Sequence, residues 1–95
     1  METIMVMKEN DNVAVCLSER KAGEVVEVDL SGETRCIRLM DDIPFAHKFS
    51  LADIGMGESI IKYGEVIGKA STLIQTGQWV HVHNVESVRG RGDKQ

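Results

Sequence analysis

Cysteine, proline and aromatic residues are scarce in this 95-residue chain, which has two Cys, one Pro, one Trp, one Tyr and two Phe. Two cysteines without a CxxC pairing speak against a disulfide framework, with a single disulfide or a reactive thiol as the alternatives. Cys16 and Cys36 stand in the apolar stretches Val-Ala-Val-Cys-Leu and Arg-Cys-Ile-Arg-Leu and are read as buried free thiols. No apolar run approaches the roughly 20 residues needed to span a bilayer. The opening Met-Glu-Thr-Ile-Met-Val-Met-Lys lacks the basic segment, long apolar stretch and cleavage site of a secretory signal, so a cytoplasmic location is expected, with no membrane partner. Basic charge is not in excess either. The net charge of −4 argues against nucleic acid, whose phosphates want a basic surface. Also missing are GxGxxG, the P-loop Gly-Lys-Ser/Thr and Gly-x-Ser-x-Gly, which speaks against nucleotide binding and a nucleophile elbow.

The chain fits one domain, and at this length folding buries only roughly 60–65% of the surface of the unfolded chain. A complete catalytic cleft, normally built between large elements or domains, would be crowded here. Size therefore favours a binding module or a subunit, not expected to be active alone.

Four stretches of the first half read as strands: residues 4–8, 13–17, 25–30 and 34–40. Val13, Val15 and Leu17 alternate with Ala14 and Cys16, and Val26, Val28 and Leu30 with Glu27 and Asp29, the period of β-structure. Turn-forming segments separate them at 9–12, 21–24 and 31–33. After Pro44, glycines at 55, 57, 64, 68 and 77 preclude long elements. A helical turn is predicted over 51–54, ended by Gly55, and strands over 59–62, 65–67 and 78–85. The fold class is all-β with minor helical turns. Residues 1–87 form the domain, 88–95 read as a flexible tail or linker stub, and no internal repeat is evident.

Charge is unevenly shared. Residues 1–42 carry ten acids and five bases, a balance of −5, whereas 43–95 carry five acids and six bases, a balance of +1. An anionic ligand would be held by the second half.

The residues suited to chemistry lie there too. On a strand through Trp79-Val80-His81-Val82-His83-Asn84-Val85, Val80 and Val82 would face the core, while Trp79, His81 and His83 share the other face. The Cα atoms of the two histidines would then lie about 7 Å apart. His-x-His with no nearby carboxylate is a weak metal signal, since a metal site wants three or four ligands. Metal ligation, acid/base or substrate contact, and a merely packed strand pair all stay open. His47-Lys48 and Lys62-Tyr63 add groups suited to a carboxylate or to proton movement, against the alternative that surface lysines are simply solvated.

The segments Ile43-Pro44-Phe45-Ala46-His47-Lys48-Phe49, Asp53-Ile54, Gly57, Ile60-Ile61-Lys62-Tyr63-Gly64, Ile67-Gly68-Lys69-Ala70 and Gly77-Gln78-Trp79-Val80-His81-Val82-His83-Asn84 share a pattern with a known family. With Asp11-Asn12-Val13-Ala14-Val15 and Ala22-Gly23, they resemble the N-terminal SAF-type domain of altronate and galactarate dehydratases, over nearly the whole chain to about Ser87. The resemblance implies a compact β-clip SAF-type domain, joined to or associated with a large catalytic dehydratase domain or subunit that acts on a sugar-acid carboxylate. It implies no cofactor on this chain alone and a divalent metal, iron, in the catalytic partner. His81, His83, Lys62 and Tyr63 become candidate catalytic groups, and His47, Lys48 and Asn84 candidate substrate-binding groups. The small subunit of sulfolactate sulfo-lyase shares the pattern and is the alternative. A non-catalytic SAF-type binding or assembly module is the alternative of another class.

Overall fold

Period-two patterning over short runs between turn residues dictates strands too brief to be stable singly, and among the described residues they pair into three small antiparallel sheets. The computed structural model describes residues 4–5, 10–30 and 32–87. The expected tail at 88–95 lies outside the described residues. Strands β1 (Ile4–Met5), β2 (Val13–Cys16), β5 (Lys48–Ser50) and β8 (Trp79–Val80) form one sheet in the order β1-β2-β5-β8. A long hairpin joins β3 (Val25–Leu30) to β4 (Glu33–Arg38), and β6 (Ser59–Lys62), β7 (Glu65–Ala70) and β9 (Val85–Glu86) form the third sheet, with β7 central.

Two apolar clusters hold these sheets together. Ala14, Cys16, Val26, Val28, Ile37, Leu39, Ile43, Phe49 and Leu51 make one, with Trp79 packed on its edge. Val13, Ile54, Ile60, Ala70, Ile74 and Val80 make the other. Because side chains alternate across a strand, β2 sends Ala14 and Cys16 into the first and Val13 into the second.

Several expectations are corrected. Among the described residues there is no helix, and residues 51–54 form no helical turn. Instead Ile54 exchanges both backbone hydrogen bonds with Ile74, 2.8 Å each way, a long-range pairing that local sequence cannot disclose. The strand expected over 78–85 stops at Val80, and His81–Asn84 turn back towards β9. Val82 is consequently 80% exposed and gives nothing to the core. Cys16 is buried but Cys36 is exposed, because Ile37 takes the inward position on β4.

An internal repeat is present after all. Four ten-residue units, 17–26, 40–49, 51–60 and 71–80, share one backbone course. The fourth residue of each makes a single bridge to its partner unit, Arg20 to Ile43 and Ile54 to Ile74. The eighth donates its N–H to the carbonyl of the fifth: Glu24 to Lys21, His47 to Pro44, Glu58 to Gly55 and Gln78 to Gln75. The seventh has positive φ, at 92° for Gly23, 69° for Ala46, 88° for Gly57 and 89° for Gly77, as a type II turn requires. Its N–H in turn binds the carbonyl just before the partner unit, at Leu39, Cys16, Ala70 and Ser50 respectively. The chain is thus two interlocked pairs of turns, each with pseudo-twofold symmetry.

Candidate functional site

The second unit ends in His47, Lys48 and Phe49, and the fourth ends in Trp79 and Val80. Pairing of β5 with β8 sets Lys48 opposite Val80 and Phe49 opposite Trp79. Where β8 stops, Asn84 closes the next turn: its carbonyl oxygen accepts the His81 N–H at 3.0 Å, and its amide donates to the Trp79 carbonyl at 2.8 Å. Asn84 is buried, and both ends of its side chain are engaged with this backbone. The turn lifts His81 and His83 over the Trp79 indole. The His81 ring stacks on it at 5.2 Å and 7°, and the His83 ring lies 5.1 Å away at 40°. His47 lies at the N–H edge of the indole, 5.7 Å from Trp79 and 4.7 Å from His81 between ring centroids. All three imidazoles of the chain gather about its one tryptophan.

Lys62 and Tyr63 come from the tip of the β6–β7 hairpin. Tyr63 and Gly64 form its two-residue turn, both with positive φ, and the Lys62 ammonium sits 4.9 Å from the centroid of the Tyr63 ring. A tyrosine at φ 56° is strained by about 1 kcal/mol or more and persists only when its surroundings hold it. Asp11 and Asn12 do so. The Asp11 carboxylate accepts the Gly64 N–H at 2.7 Å, and the Asn12 side chain binds the Ile61 N–H and the Ser59 carbonyl. Asn12→Ala removes two of these bonds and is expected to destabilise the chain by about 1–2 kcal/mol, read as a lower thermal midpoint.

Lys48, Ile67, His81, Val82, Val85 and Ser87 line a cavity of about 280 Å³ open to solvent. Burial, and then the nearby charge of Lys62, hold the Lys48 ammonium below the ordinary lysine range. His81 is likewise held below the usual imidazole value of 6.5, by desolvation first and then by His47, Lys48 and His83. Among the described residues neither Lys48 nor Lys62 has an ion-pair partner. Two lysines without an ion-pair partner among the described residues, beside three imidazoles, are an arrangement that an anion relieves.

A depressed His81 pKa carries a definite sign. The unfolded chain takes up a proton at this group before the folded one does, so stability is retained above about pH 6.5 and declines as pH falls through the folded pKa. Denaturant unfolding followed from pH 7.5 to 5 is expected to show that decline, and His81→Gln to flatten it. Asp53 adds a second, more acidic loss: the Thr76 backbone N–H and hydroxyl hold its pKa down, so its contribution vanishes only below the ordinary carboxylate range.

The structure thus brings His47, Lys48, Lys62, Tyr63, His81, His83 and Asn84 to one end of the molecule. The positioning residues Asp11, Asn12 and Asp41 escape sequence reasoning as parts of the site, and Trp79 is legible there only as sharing a face with His81 and His83. Asp41 is the least legible, since its role is to accept the Trp79 backbone N–H at 2.9 Å across 38 positions of sequence. Among the described residues no three His, Cys, Asp or Glu side chains form a group fit to hold a metal ion. Among them, too, no helix is long and apolar enough to cross a membrane.

Fold and site together define a small all-β module with a cationic, imidazole-lined end. The model of the altronate/galactarate dehydratase SAF domain matches residues 2–88, and the chain belongs to that family. It is 42% identical over 77 residues to an altronate dehydratase of Escherichia coli (strain K12), covering 81% of this chain and 15% of that protein. An altronate dehydratase of Bacillus subtilis (strain 168) is 36% identical over 87 residues, 92% of this chain and 17% of the relative. The (2R)-sulfolactate sulfo-lyase subunit alpha of Chromohalobacter salexigens is 34% identical over 83 residues, 84% of this chain and 88% of that subunit. The chain thus spans a small fraction of the two dehydratases and most of the sulfo-lyase subunit.

Proposed function

We propose that this chain works as the small subunit or N-terminal domain of a sugar-acid dehydratase of the altronate type, placing its cationic end against the active site of a large catalytic partner. The observation that carries the reading is the convergence of Lys48, Lys62 and three imidazoles, where among the described residues neither lysine has an ion-pair partner. In dehydration of a polyhydroxy acid, a base removes the proton beside the carboxylate and an acid assists the departing hydroxyl. Lys48 and Lys62 would meet the carboxylate, and His81, with its lowered pKa, is suited to accept a proton near neutral pH. His83 and Tyr63, both exposed, would meet the remaining hydroxyls. A divalent metal such as iron, assigned to the partner, would stabilise enolate charge when bound; every role given to this chain is contact or proton handling.

Replacing His81 and His83 together by alanine is expected to lower turnover of the reconstituted two-component enzyme by about 10²-fold or more. The chain alone should not dehydrate altronate or galactarate with ferrous or manganous ion added. Unchanged activity of the double variant would leave a non-catalytic assembly role.

The match across 88% of a sulfo-lyase subunit supports a second reading, in which the same face holds sulfolactate and sulfite leaves in place of water. Assaying the complex on both substrate types decides between them.

A further inference from the structure

The indole of Trp79 does more than support the imidazoles. Its Nε1–H points at Nδ1 of His47, 3.1 Å away. An indole nitrogen can only donate, so Nδ1 of His47 must offer its lone pair, and the proton of the neutral ring then resides on Nε2. The His47 backbone is independently fixed, with its N–H on the Pro44 carbonyl and its carbonyl accepting from Cys16. Rotation of the ring is the remaining freedom, and the indole removes it. Trp79 itself is held at both ends of its backbone, by Asp41 at the N–H and by Asn84 at the carbonyl.

We infer that Trp79 is the positioning residue of this site, holding His47 as the Nε2–H tautomer so that His47 meets an anionic oxygen as a hydrogen-bond donor and not as a base. The inference rests on the proposed substrate-facing role of this end. It divides labour among three similar side chains. His47 has one nitrogen occupied and the other protonated, so it is a polar clamp, whereas His81 stacks on the indole face, and among the described residues no hydrogen bond ties up its ring.

The chain contains one tryptophan, so its indole N–H gives a single resonance and one residue type can be replaced throughout. With the full chain labelled with nitrogen-15, a scalar coupling across the hydrogen bond between Trp79 Nε1 and His47 Nδ1 is expected, with the His47 proton on Nε2. Absence of the coupling, or a proton on Nδ1 of neutral His47, overturns the inference. In the assembled enzyme, Trp79→Phe should lower kcat/KM by about 10-fold. Should phenylalanine prevent folding, benzothienylalanine, which keeps the ring system and exchanges N–H for sulfur, gives the same test. Coupling present with turnover unaffected by loss of the N–H also overturns the positioning role. The two readings fail separately: if His47→Ala and the His81/His83 double variant are as active as wild type, the substrate-facing reading falls even where the coupling is seen. If those variants are impaired and the coupling is missing, only the role of Trp79 falls.

Discussion

Lys48→Met is expected to lower kcat/KM of the assembled enzyme by about 10- to 10²-fold while leaving the isolated chain at least as stable as wild type. The first effect follows from losing a charge-assisted contact with an anion, which is typically about 1.5–3 kcal/mol. The second follows from the environment of the ammonium. Lys48 is half-buried, lies near Lys62, and among the described residues pairs with no carboxylate, so its charged form is less favourable in the folded chain than in water. Its folded pKa is depressed by burial and then by the Lys62 charge, which means that holding the ammonium costs the folded chain stability that an uncharged side chain would not. Methionine retains much of the aliphatic stem and discards the charge. Opposite changes in turnover and thermal midpoint are what a binding cation produces. A fall in both would mark Lys48 as a structural residue.

Gly77→Ala should be the most damaging single substitution considered, destabilising the chain by about 3–5 kcal/mol. Gly77 has φ +89°, and a Cβ there would lie 2.2 Å from the Arg38 carbonyl oxygen, with Met40 N also close. Both neighbours are backbone, and Gly77 also accepts the Met40 N–H through its own carbonyl, so neither side can yield without breaking the turn. A domain of this size has a total stability of roughly 5–14 kcal/mol, so the loss is a large part of it. Gly57 occupies the equivalent place in the third unit with φ +88° but nothing within 4 Å of its added Cβ. Gly57→Ala should therefore cost only about 1 kcal/mol, the conformational part alone. Urea unfolding of the two variants separates steric approach from backbone strain; equal losses would show that the Arg38 contact is immaterial.

Much of the candidate site was legible because it is local. His47-Lys48, Lys62-Tyr63 and the His81 to Asn84 run each lie in one short segment, and the charge imbalance pointed to the same half of the chain. Their meeting was not legible in the residues alone, since it depends on β5 pairing with β8 and on the Asp11-Asn12 clamp. The strand drawn through His83 failed for a definite reason. Alternating valines satisfy a period of two, but the Asn84 side chain competes for the His81 backbone and bends the chain into a turn. The repeat is not legible in the sequence because its four units share conformation and not composition: Arg20 stands where three isoleucines do, and Ala46 where three glycines do.

By itself the sequence determined the class of fold, the strands β2, β3, β4 and β6 to within a residue or two, and the residue types on which chemistry can rest. Alternation and turn residues act over a few positions, and those are properties a linear pattern carries. Only the tertiary structure decided that the turns interlock in pairs, that Cys36 and Val82 face solvent, and that a single indole gathers three imidazoles. Each of these depends on backbone hydrogen bonds or packing between distant segments, whose partners are selected by the whole fold.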